Sequence, residues 1–105
     1  MGSIPKTYTE FIQKYPDVAN AYHALGEATS KSGPLDGKTA ALVKLALAIG
    51  ARMEGAVHSH ARKAREAGAS DDEIRHAALL GTTTLGFPTM MAALSWIEDV
   101  LEEGD

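Results

Sequence analysis

Ten consecutive residues, Ala40-Ala41-Leu42-Val43-Lys44-Leu45-Ala46-Leu47-Ala48-Ile49, include a single polar side chain. Wound at 3.6 residues per turn, such a run leaves no wide polar face, and it is longer than a usual strand. A helix of this kind must be buried on most sides, either at a domain centre or against another subunit. Asp36 is a good N-cap in front of it, so the spacing predicts a helix from Gly37 to about Gly50. No stretch of the chain alternates with period two, so no strand is predicted.

The remaining segments read as helices packed around this one. Residues 1–7 read as a frayed lead into a short apolar-patterned piece, Tyr8 to Tyr15, closed by Pro16. A second helix starts near Pro16-Asp17, where proline and an acidic side chain both suit a first turn. Val18, Ala21, Tyr22, Leu25 and Ala28 recur along it at helical spacing, and Ser30 to Pro34 is a loop. A further helix is expected from Arg52 to Ala67, either joined to the one before or broken from it around Gly50 to Met53. Gly68 suits the residue after its end, and Ser70-Asp71-Asp72-Glu73 reads as a capping box for the next helix. Thr82-Thr83-Thr84 fits a helix interior poorly. Gly86-Phe87-Pro88 opens a last helix, Thr89 to Glu102, with Met90, Leu94, Ile97 and Leu101 on its apolar stripe. The expectation is an all-α bundle of about six helices forming one domain over residues 1–105.

Composition narrows the function. Apolar residues make up 45%, enough for a core, but many are alanines that bury little area each, so association into an oligomer is expected. The net charge of −4 disfavours a nucleic-acid partner. There is no cysteine, which removes disulfides, thiolate nucleophiles and thiolate metal sites. No apolar run approaches membrane-spanning length and no leader pattern is read at the start, so a cytoplasmic protein with no membrane partner is expected.

The chemistry-bearing residues gather in Met53 to Ala64. His60 stands among small neighbours, with Met53, Ala56, Val57 and Ala64 on its side of the helix, and an imidazole suits proton transfer near neutral pH. His58 lies about 200° round the helix from His60, so the two cannot share one metal. Glu54 and Arg62 each lie four residues from His58 and read as a solvated charge stripe of about 0.2–0.5 kcal/mol per pair. Glu54 and His58 would make a metal site only if other helices or chains added ligands; none is assigned, and no cofactor is expected. Ser59 points away from both histidines and is a poor nucleophile. The threonine run bonds back to its own backbone or lines a polar pocket, and the Met90-Met91 pair reads as core. His23 and His76 have no partner nearby in sequence and read as structural or exposed.

From Lys38-Thr39 through Ala69, the chain resembles the carboxymuconolactone decarboxylase/AhpD-like (alkylhydroperoxidase D-like) superfamily. The match rests on His60, Ala64, the Arg65-Glu66-Ala67-Gly68-Ala69 helix end, the acidic capping box and the Gly86-Phe87-Pro88 turn, and covers about residues 35–101. The resemblance implies an all-helical fold that assembles as a homo-trimer or homo-hexamer. It also implies a departure, because the family's two cysteine positions fall on Met53 and Ala56, and the glutamate of its peroxidase branch falls on Ala41. Only His60 of that proton relay is kept. The function implied is action on a small carboxylate or lactone, with His60 as catalytic acid/base and Arg52, His58 and Glu54 as substrate-binding candidates, Arg52 anchoring the carboxylate. The alternatives are a non-catalytic oligomeric scaffold or ligand-binding module, and a histidine metal site at a subunit interface. A thiol peroxidase cycle needs an attacking and a resolving thiol. Purified chain free of haem should therefore turn over no organic hydroperoxide with a thiol reductant, and measurable turnover in a coupled peroxidase assay would refute this.

Overall fold

Proline and capping residues set most of the helix boundaries. The computed structural model describes residues 4–103, and the first three residues of the expected frayed lead lie outside them. Six helices run in the order α1 (Lys6–Lys14), α2 (Pro16–Ser30), α3 (Gly37–Ala51), α4 (Glu54–Glu66), α5 (Asp71–Leu79) and α6 (Phe87–Leu101). A single 3-10 turn, Leu80–Thr82, follows α5. The described residues contain no strand, as the absence of period-two patterning requires. None of these helices is long and apolar enough to cross a membrane.

The chain divides into two compact units, one ending at Leu35 and the other starting at Asp36. In the first, Pro16 at the start of α2 ends α1 and turns the chain. The Phe11 and Tyr15 rings lie 5.5 Å apart, and Tyr8 Oη is hydrogen-bonded to His23 Nε2 at 3.0 Å. Ala19 is the one buried residue on α1 and α2.

In the second unit, Asp36 caps α3 by accepting from the Thr39 N–H at 2.8 Å, and that bond holds its carboxyl below the usual range. The core joins Leu45, Ala48 and Ile49 of α3 to Val57, Ala61 and Ala64 of α4, Ile74 and Ala78 of α5, and Ala93, Ile97 and Val100 of α6. The apolar run of α3 is therefore only half hidden within one chain. Leu47 is 68% exposed, and Val43 is exposed beside it.

The join between α3 and α4 is a break. Arg52 adopts a left-handed conformation, φ 60°, the one non-glycine residue with positive φ among those described. Its N–H donates to Ile49 O and the Met53 N–H to Ala48 O, the pairing of a helix C-terminal turn that glycine usually makes. The turn folds α4 back against α3. Gly68, at φ 99°, ends α4, and the capping box after it is complete: Ser70 Oγ accepts from Glu73 N–H and Glu73 Oε1 from Ser70 N–H. The threonines leave the helix altogether, α5 giving way to the 3-10 turn, with Thr82 donating to Leu79 O at 2.6 Å. Met90 is core as expected, whereas Met91 is exposed.

A left-handed non-glycine residue costs roughly 1–2 kcal/mol. Arg52→Gly should leave thermal stability unchanged or raise it by up to about 1 kcal/mol, whereas Ser70→Ala should lower it by about 1 kcal/mol. Parallel denaturant melts of the two variants check both signs.

Candidate functional site

The turn at Arg52 folds α4 back along α3, and this brings the charge of Lys44 to bear on His60. His60 is half-buried, next to the fully buried Val57 and Ala64, and its Nδ1 is cut off from solvent with no hydrogen-bond partner. Burial, followed by the charges of Lys63 and Lys44, pushes its imidazole below the ordinary histidine range. The ring is therefore neutral at pH 7, with one buried nitrogen unpaired. Sequence spacing shows Lys63 one turn along the helix; Lys44 becomes a neighbour only through the reverse turn.

The charge stripe needs correcting. His58 and Arg62 do lie on one face with Glu54, but their closest partners come from α6 and the turn after it rather than from α4. His58 Nε2 bonds to Asp99 Oδ2 at 3.1 Å and lies 3.9 Å from Glu54 Oε2. Arg62 binds Glu103 through two nitrogens, at 3.3 and 2.9 Å, with both side chains about four-fifths hidden. Such a forked pair fixes orientation as well as adding energy. Asp99 and Glu103 are invisible to a reading of α4 alone; their spacing of four, matching that of His58 and Arg62, is the signal that pairs the helices. Arg75 on α5 similarly bridges Asp72 and Glu98, and holds the Glu98 carboxyl below its usual range.

Of the sequence-derived site residues, Glu54 and His58 come together, His60 lies on a different side of α4, and Arg52 sits exposed in the turn. A groove of about 800 Å³ opens elsewhere, walled by Leu42, Val43 and Leu47 of α3 with Leu80 and Leu85, and edged by Glu73, His76 and Thr84. His60 does not line it. His76 is exposed there, and His23 is exposed with its Tyr8 partner.

Comparison with known proteins fits this geometry. The model of the carboxymuconolactone decarboxylase family matches residues 16–99. The chain belongs to that family. A carboxymuconolactone decarboxylase family protein from Legionella pneumophila, whose crystal structure was solved in the apo form, superposes with a TM-score of 0.78. The superposition covers 94% of this chain and 88% of that one, at 24% identity, a level that speaks for the fold alone. An uncharacterized protein from Haemophilus influenzae is 40% identical over 61 residues, 58% of this chain. The chain spans about half the length of that relative, 54% of it. Within the family frame, the cysteine positions Met53 and Ala56 flank the start of α4, where Met53 is the exposed N-cap.

The depressed His60 pKa has a consequence for stability. The unfolded chain takes up the His60 proton first, near its ordinary value of ~6.5, so folding weakens as pH falls below that point. The loss levels off once the folded-state pKa is passed. Chemical melts between pH 7.5 and 5 should show this component in the native chain and lack it in His60→Gln.

Proposed function

We infer that the chain acts as a homo-oligomer, a trimer or hexamer in the cytoplasm, that binds a small carboxylate or lactone and moves a proton with His60. The observation behind this is the neutral imidazole with an unpaired buried Nδ1 beside two cationic side chains. A structural histidine would have both ring nitrogens satisfied, because leaving a buried polar atom unpaired costs about 1–3 kcal/mol. The charges of Lys63 and Lys44, which lower the His60 pKa, also favour an anion next to that ring. The neutral ring is ready to act as a base, taking a proton from the position beside the substrate's carbonyl. The imidazolium so formed is disfavoured by the same burial and the same lysines, and it returns the proton readily.

Association follows from the apolar face of α3. Leu47 and Leu80 are each about two-thirds exposed along the groove, a patch that a solitary soluble chain rarely leaves in water. A second copy on that face would complete the burial that the Ala40–Ile49 run requires.

One observation favours a non-catalytic ligand-binding module instead: the groove of about 800 Å³ and His60 are separate. His60→Gln distinguishes the two readings. The enzyme reading expects an oligomer unchanged by light scattering and a turnover of small carboxylated lactones lowered by ~10²–10⁴. It further expects the acid limb of the native pH–rate profile to fall below ~6.5, in step with the depressed histidine. Unaltered turnover in the variant would leave the module reading in place.

A further inference from the structure

The geometry points to a divalent-cation site, of the zinc class, formed by Glu54, His58 and Asp99 within one chain. One ligand atom from each of the three lies within 4.8 Å of the other two. The donors come from two helices: Glu54 opens α4, His58 follows one turn later, and Asp99 comes across from α6. Tetrahedral zinc with ligands at about 2.0–2.2 Å holds neighbouring donor atoms roughly 3.3–3.5 Å apart. The His58–Asp99 separation of 3.1 Å already suits this, and the His58–Glu54 separation of 3.9 Å needs a closure of about half an ångström. Both carboxylates are 58% exposed, so their side chains can make that movement without disturbing the core.

Hydrogen bonding alone accounts poorly for this arrangement. A ring nitrogen carries one proton and satisfies one acceptor, yet two carboxylates converge on His58 Nε2. A cation bound at the lone pair of that nitrogen is attracted to both. Two carboxylates and a neutral imidazole supply two negative charges, matching a divalent ion. The nitrogen donor favours zinc over magnesium or calcium, which prefer all-oxygen shells. Three protein donors leave a fourth position open to water or to an exogenous ligand, the pattern of a catalytic rather than a structural site.

The site is also held in advance. One turn further along α4, the forked Arg62–Glu103 pair ties it to the turn that follows α6. Asp99 is set four residues before Glu103 and His58 four before Arg62, so this clamp fixes the third ligand opposite the first two. The site does not use His60 and stands independently of the acid/base reading.

The test is calorimetric titration of zinc chloride into the chelator-treated, tag-free chain. One zinc per chain at micromolar affinity or tighter is expected. His58→Gln and Asp99→Asn should each weaken it at least tenfold, whereas His23→Gln, His60→Gln and His76→Gln should not. Cobalt substitution should give the visible absorption of a four-coordinate site and lose it in the same two variants. No saturable binding up to millimolar zinc would overturn the proposal. So would half a zinc per chain, or binding unaffected by His58→Gln in protein with native circular dichroism.

Discussion

The second unit depends on how closely its helices can approach one another. Ala61 and Ala64 on α4, Ala78 on α5 and Ala93 on α6 are all completely buried, so each of these helices presents a small side chain where it meets its neighbours. Close approach brings the backbones into extensive contact, but an alanine removes little apolar area from water, at roughly 25 cal/mol per Å². The larger residues, Leu45, Ile74 and Ile97, fill the spaces between. Other large apolar side chains are left on the outside. Leu47, Leu79 and Leu80 face away from a core that has no room for them, and this accounts for an apolar helix that is only half hidden in a single chain.

The site is a product of the same packing. The positions that the resemblance gives to thiols fall at the start of α4, where unpaired N–H groups and the helix dipole would stabilise a thiolate. The chain keeps the helix and puts Met53 and Ala56 in those positions. Further along the helix stand an imidazole with an unpaired Nδ1 on one side and a histidine between two carboxylates on another. Neither arrangement needs sulfur.

Local signals were the legible ones. Asp36, Pro16, Gly68 and the Ser70–Glu73 box act within a single turn of backbone, so the residues that set each boundary are adjacent in the chain. Arg52 was opaque because its left-handed conformation is imposed by the packing of α3 on α4; propensity alone would place a glycine there. The helix expected from Arg52 accordingly starts two residues later, at Glu54. His60 stood out by its small neighbours, but its loss of basicity comes partly from Lys44, which the turn brings alongside. His58 was legible only in part for a similar reason. Intrahelical spacing showed Glu54 and hid Asp99, a contact between residues 41 apart in sequence.

That separation also bears on how the chain reaches its native state. His58 pairs with Asp99 and Arg62 with Glu103, both across 41 residues, so α4 and α6 run in the same direction. Parallel neighbours cannot be joined by a tight turn; the chain must travel back the length of a helix, and α5 with its 3-10 turn makes the return. Closing such a loop costs entropy before any contact compensates for it. The α3–α4 reverse turn, by contrast, joins segments adjacent in the chain. The α3–α4 hairpin and the self-capped α5 rest on local interactions, whereas the docking of α6 on α4 needs the longer loop closed first. The Arg62–Glu103 pair spans the same separation of 41 residues, so it forms only once that loop has closed.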